Sequence, residues 1–223
     1  MDQVIIFGAT GMVGQGVLRE CLLDPGITRV VTVGRSSPPQ TDPKLHKLIH
    51  PGPFGYERLE AELSGLDACF FCLGVSSNGM KEADYRRITY DCTLAPAERL
   101  ARLNPTMVFI YVSGAGTDST ERGSTMWARV KGATENALCR LPFRAVYLFR
   151  PGMIEPLHGI RSKTKLYNAI YRVLGFLMPI LRRLFPRSIV TTEQVGQAMI
   201  RISRAGPPTQ ILEPAQIAAW ARR

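Results

Sequence analysis

The sequence predicts an α/β protein built on a doubly wound parallel sheet. Three observations predict it: continuous apolar runs rich in β-formers, helical stretches between those runs, and a glycine-rich turn directly after the first of them. The runs are VIIFG at 4–8, VVTVG at 30–34, ACFFCLG at 68–74, MVFIYVS at 107–113 and AVYLF at 145–149. They show little polar alternation, which suits strands covered on both faces, and strand–helix alternation makes the pairing parallel.

Between the strands, helices are expected at 12–23, 56–63, 82–103, 124–140 and 191–204, with a short one near the C-terminal end. Pro25-Gly26, Pro38-Pro39 and Pro51-Gly52-Pro53 punctuate the early connections. After Arg150-Pro151-Gly152 the pattern changes. Residues 153–187 are expected as a lid-like insertion, making a small helical C-terminal lid on a single domain spanning 1–223. Within KTKLYNAIYRVLGFLMPILRRLFPRS, at 163–188, Leu166, Ile170, Val173, Leu174, Leu177, Leu181 and Leu184 fall near one helical stripe, which Pro179 should kink or divide. The run is too short to span a bilayer and is interrupted by Arg172. It suits a lid packed on the domain, a peripheral contact with anionic membrane, or a homodimer seam; the chain is expected as a monomer or homodimer.

A chain of 223 residues, 45% hydrophobic, can bury a large core. The N-terminus runs directly into VIIFGAT without a charged segment and cleavage site, so no secretory signal is read and a cytoplasmic protein is expected. The five cysteines, Cys21, Cys69, Cys72, Cys92 and Cys139, are odd in number and lie in apolar segments, which suits a reducing compartment. Cys69 and Cys72, three apart in a strand, should face opposite ways and pack rather than pair. His46 and His50 have no third ligand type beside them, so no metal site is assigned. The net charge is +10, with 17 Lys/Arg against 15 Asp/Glu in residues 1–150 and 11 against 3 in residues 151–223. A basic C-terminal third fits an anionic partner or plain solubility. No nucleic-acid-binding motif accompanies it, and no nucleic-acid partner is expected.

The turn Gly8-Ala9-Thr10-Gly11-Met12-Val13-Gly14 leaves the first strand and opens a helix, the setting in which glycines admit a pyrophosphate to the backbone and the helix N-terminus stabilises its charge. This is the dinucleotide site of a Rossmann fold. At the end of the second strand, Val33-Gly34-Arg35-Ser36-Ser37 offers no carboxylate for the adenosine ribose of NAD. Arg35, 21 residues after Gly14, stands where a guanidinium would meet the 2′-phosphate, so NADP(H) is preferred over NAD(H).

With these residues on view, the chain resembles the atypical short-chain dehydrogenase/reductases, in particular the group of the Tat-interacting tumour-suppressor oxidoreductase and its bacterial epimerase-like relatives. The matching blocks are GATGMVG at 8–14, VGR at 33–35, Cys72-Leu73-Gly74, YVSGAG at 111–116, VKG at 130–132 with Glu135, and RPG at 150–152. The resemblance implies that Leu73 and Gly74 line the adenosine side, Ser113 is the active-site serine, Lys131 holds the nicotinamide ribose hydroxyls, and Pro151-Gly152 passes beside the nicotinamide. Two departures stand out. His50-Pro51-Gly52-Pro53 lacks the Asp that often binds adenine, and the tyrosine four residues before the lysine is Trp127.

An indole has one N–H donor and no exchangeable acid proton, so Trp127 can stack but cannot replace the tyrosine as acid. Lys131 alone, Ser113 with Lys131, or His158 from the loop could take over proton handling. Two functions of different kinds follow: an NADP(H)-dependent oxidoreductase acting on a small organic substrate, or an NADPH-sensing binding protein without catalysis. A sugar-nucleotide epimerase ranks below both.

Overall fold

The computed structural model describes residues 2–52, 55–160 and 188–223. Strand β1 (Asp2–Phe7) forms because VIIF alternates between two buried faces: Val4 and Ile6 enter one apolar cluster, Ile5 and Phe7 the other. The first cluster is closed by α1 (Met12–Leu23), which supplies Val17, Leu18 and Cys21. The second receives Leu94, Ala97 and Leu100 from α4 (Cys92–Leu103), and Ala137 and Leu138 from α5 (Met126–Leu138).

The remaining strands are β2 (Ile27–Gly34), β3 (Leu45–Ile49), β4 (Ala68–Phe71), β5 (Val108–Val112), β6 (Ala145–Phe149) and, near the C-terminus, β9 (Ile211–Leu212). They form a seven-stranded sheet, order β3-β2-β1-β4-β5-β6-β9, with every pairing parallel. The expected doubly wound sheet is therefore observed. Its order reverses between β1 and β4, so the crevice beyond their C-terminal ends is where ligands collect in such sheets.

Four strands escaped the sequence reading, the two-residue β9 among them. Strand β3 is an edge strand whose LHKLI is half exposed, and its prolines at 43 and 51 read as loop. Strands β7 (Met153–Glu155) and β8 (Ile189–Thr191) form a separate parallel pair, with Met153 opposite Ile189. The expected helix at 82–103 is divided: α3 (Glu82–Arg86) passes through a π-turn at Arg87–Asp91 before α4 begins. A short α2 (Glu60–Leu63) precedes β4. After β8, α6 (Thr192–Ala205) starts with a reciprocal cap, the Thr191 hydroxyl accepting from the Gln194 N–H at 3.0 Å. Helix α7 (Pro214–Trp220) closes the chain. Most of the expected lid, including the stripe from Leu166 to Leu184 and Pro179, lies outside the described residues. Among the described residues no helix is long and apolar enough to cross a membrane. Cys69 faces one core cluster and Cys72 packs against the other, and all five cysteines are free.

Candidate functional site

The turn after β1 is shaped by contacts that only glycine allows. Gly8 has φ of 81°, and a Cβ there would lie 2.7 Å from the Leu73 nitrogen; one on Gly14 would lie 2.1 Å from the Gly8 carbonyl oxygen. The backbones at the ends of β1 and β4 thus meet directly, and α1 can begin against the turn. Met12 and Val13, partly buried against the core, hold the first turn of that helix in place. Its N-cap, Gly11, makes no side-chain capping bond, and its first turn carries no carboxylate. The N–H groups and the positive end of α1 are available to an anion.

Beside this turn lies a recess lined by Gly8, Thr10, Thr32, Arg35, Ser36 and Leu73, among others, none of them acidic. Arg35 is exposed, and its guanidinium has no ion pair among the described residues. Thr32 is 3% exposed, and its hydroxyl has no hydrogen-bond partner among the described residues. A buried orphan hydroxyl next to a glycine cradle fits a polar ligand such as a phosphorylated nucleotide. Sequence reasoning missed Thr32, although a single polar residue inside VVTVG was the available signal. Leu73 lines the recess, and it and the following Gly74 are exposed. Where the resemblance would place an adenine-binding Asp, His50 bonds the Gly52 carbonyl at 2.6 Å and stacks on Tyr56 with ring centroids 4.4 Å apart.

At the end of β5, Ser113 is buried, and its N–H donates to the Phe149 carbonyl at 2.7 Å. Its Oγ lies 2.9 Å from the Thr117 Oγ1, which itself donates to the Gly114 carbonyl at 2.8 Å. Thr117 has one hydroxyl proton and gives it to Gly114, so the Ser113 proton goes to Thr117. Toward a ligand, Ser113 then presents lone pairs.

Helix α5 brings the other residues. Trp127, half-buried in its first turn, covers the glycine stretch after Ser113: Cβ atoms built on Gly114 and Gly116 would lie 3.9 and 3.6 Å from the indole. One turn on, the same helical face carries Lys131. Its Nζ stands 5.4 Å from the centroid of the buried Tyr111 ring, within cation–π range. Burial pushes the lysine down to about 8, although the Glu135 charge pulls the other way. Tyr111 is pushed far up by its own burial and is no acid at neutral pH.

The turn after β6 closes the group, with the Ala115 N–H donating to the Pro151 carbonyl at 2.9 Å. Gly152 is there for packing, since a Cβ would come within 2.7 Å of the Ser188 oxygen. His158 is engaged elsewhere: with φ of 56°, it places Nε2 2.6 Å from Glu193 on α6. The sequence offers His158 as a loop residue that could take over proton handling, whereas the structure gives it a carboxylate partner.

The fold is that of the short-chain dehydrogenase/reductases, and the resemblance to their atypical, epimerase-like members is borne out by similarity to known proteins. No family model matches the chain. Among curated relatives, the mitochondrial protein Fmp52 of Emericella nidulans is 28% identical over 181 residues, covering 77% of this chain and 74% of that one. Among solved structures, the Bordetella bronchiseptica enzyme WbmF in complex with NAD+ superposes with a TM-score of 0.67 at 16% identity, covering 98% of this chain and 76% of that one. A short-chain dehydrogenase/reductase from Saccharomyces cerevisiae superposes with a TM-score of 0.64 at 13% identity, covering 99% of each. The cytoplasmic expectation is overturned by the fungal relatives, whose names describe them as mitochondrial. Free cysteines in apolar segments argue against a disulfide framework but do not specify which compartment holds the chain.

Proposed function

We propose that the chain binds a nicotinamide dinucleotide, NADP(H) in preference to NAD(H), across the crevice between β1 and β4, and acts as an oxidoreductase on a small organic carbonyl. The observation that carries this reading is the placing of two features on one edge of the sheet: the glycine cradle at Gly8 and Gly14, and a desolvated Lys131 beside the end of β5. The α1 N-terminus would hold the pyrophosphate, and Arg35 would meet the 2′-phosphate. Thr32 would gain its missing partner, while Leu73, Gly74, Pro151 and Gly152 would form the walls. When bound, the nicotinamide supplies or accepts a hydride.

Lys131 does the work the missing tyrosine would do. In reduction, an ammonium N–H bond breaks as an O–H bond forms on the carbonyl oxygen, leaving a neutral amine that is reprotonated from solvent. A lysine lowered to about 8 is suited to this exchange near neutral pH. Ser113 accepts a hydrogen bond from substrate or ribose, and Trp127 covers the reacting face against water and offers a stacking surface.

Two features favour the non-catalytic alternative, an NADPH-sensing binding protein: Trp127 stands in the tyrosine position, and with Thr117 donating to Gly114 the Ser113 proton is left to Thr117. A sugar-nucleotide epimerase ranks lower. A UDP-N-acetylglucosamine 4-epimerase from Methanobrevibacter ruminantium is among the similar structures, at 14% identity, with this chain covering 74% of it. Calorimetry should show NADP(H) binding more tightly than NAD(H), with Arg35→Ala erasing most of the difference; equal affinities in the unmodified protein would refute the role of Arg35. NADPH oxidation should then be followed over a panel of carbonyls. Tight binding with no turnover on any of them decides for the binding protein.

A further inference from the structure

Glu135 is the most deeply buried charged residue among those described, at 1% exposure, and Arg150, which grips it, is 9% exposed. The Arg150 Nε donates to Glu135 Oε1 at 3.0 Å, and its Nη2 donates both to Glu135 Oε2 and to the Ser119 hydroxyl at 2.5 Å. Glu135 also lies four residues after Lys131 on α5, one turn further along the same face. The carboxylate therefore has two cations within its reach. The guanidinium fork of Arg150 matches both oxygens at once, which a single ammonium cannot do. The contacts follow that preference. Glu135 pairs with Arg150, whereas Lys131 makes no ion pair among the described residues and rests over the Tyr111 ring.

The elements that carry these charges are tied to each other. The Asp118 N–H donates to the Ala128 carbonyl at 3.1 Å, and the Ala115 N–H donates to the Pro151 carbonyl, joining α5, the loop after β5 and the turn after β6. The groups bearing on Lys131 are Glu135 from its own helix and the Tyr111 ring from β5, itself flanked by Tyr85 of α3, while Arg150, just past β6, acts on Glu135. Asp118 of the loop acts on Arg150.

We infer that the Glu135–Arg150 pair is the positioning device that sets the charge state of Lys131: by binding both carboxylate oxygens, Arg150 draws Glu135 away from the ammonium and leaves the lysine able to release its proton. Neither residue touches the reacting atoms; both act through Lys131. This builds on the reading of Lys131 as the proton-handling group, but its test does not need turnover.

The chain has six lysines, so selective 13Cε labelling gives a spectrum in which the Lys131 signal is assigned by its loss in Lys131→Met. Its titration midpoint is then followed in two variants. Arg150→Met frees the Glu135 charge and should raise the midpoint by about one pH unit or more, while Glu135→Gln removes the negative charge, leaves Arg150 unpaired, and should lower it. Both variants break the same ion pair. Structural loosening alone would shift the two midpoints in the same direction, toward an ordinary lysine, so opposite shifts are the signature of the proposed role. Shifts of the same sign, or none, overturn it. If Arg150→Met does not fold, Glu135→Gln decides alone: an unchanged or raised midpoint overturns the inference. Failure of the oxidoreductase reading would appear instead as cofactor binding without turnover, with these midpoints unaffected.

Discussion

Replacing Lys131 should stabilise the protein, and by an amount that depends on pH. The side chain is only partly buried, but its ammonium end is desolvated, with the folded-state value near 8 against an ordinary 10.5. Below pH 8 the folded and unfolded chains both hold the proton, and the fold bears the full cost of a buried charge. Between about 8 and 10.5 only the unfolded chain holds it, so rising pH removes that cost; above 10.5 nothing remains. The cost works out at about 3 kcal/mol near pH 6.5 and about 1 kcal/mol near pH 9.5. Lys131→Met, which keeps an unbranched apolar stem, should therefore gain most over the native chain at low pH, and the gain should shrink by about 2 kcal/mol on going to pH 9.5. Urea unfolding of both proteins without cofactor measures this. The difference between them is the quantity to read, because the thiols of Cys21, Cys69 and Cys72, all held up by burial, weaken both folds alike as pH rises. A gain that stays constant across this range would refute the desolvated lysine, since altered packing gives an offset without pH dependence.

Carbonyl reduction, which consumes the ammonium form of Lys131, should be sustained below pH 8 and fall as pH rises through it; a rate that increases across this range would point to another acid. Gly14→Ala brings a Cβ to within 2.1 Å of the Gly8 oxygen and should cut dinucleotide affinity at least tenfold in calorimetry, with a loss of about 1–3 kcal/mol in stability. Bound NADPH should quench tryptophan emission, and Trp127→Phe should remove the quenching although Trp220 remains. Trp127→Tyr should raise carbonyl reductase activity if the native protein is a binder that lacks its acid, and lower it if the enzyme stacks substrate on the indole.

The parallel sheet was legible because its strands are buried on both faces, so the apolar runs carry no competing polar pattern. Strand β3 was not, because an edge strand needs burial on one face only, and the prolines around LHKLI give the stronger local signal. The glycine cradle was legible for a related reason: the close approaches of Gly8 to Leu73 and of Gly14 to Gly8 exclude every other residue type and so leave a mark in the sequence. Hydroxyl direction leaves no such mark. That Ser113 gives its proton to Thr117, four residues later, depends on a loop conformation with Gly116 at φ of 84°. The charge balance at Lys131 joins Glu135 on α5 to Arg150 just past β6, residues 15 apart whose motif letters were visible but whose meeting is a matter of topology.

The Trp127 substitution is informative because the position of α5 does not depend on it. The helix is seated by Gly132, where a Cβ would fall 1.8 Å from the Asp118 oxygen, and by buried Ala128, Val130 and Ala137. Arg150 ties its third turn to the end of β6 through Glu135. Residue 127, in the first turn, contributes a cover over Gly114 and Gly116, which a tyrosine ring would span less fully than an indole. Exchanging the two therefore changes the chemistry offered to a ligand while the frame holding Lys131 stays in place. An intact scaffold around Lys131 is for this reason no evidence of catalysis, since the same frame serves an enzyme that uses the lysine alone and a protein that only binds. What separates them is whether the Lys131 proton is used in turnover, and the pair that governs that proton lies two turns along α5 from Trp127.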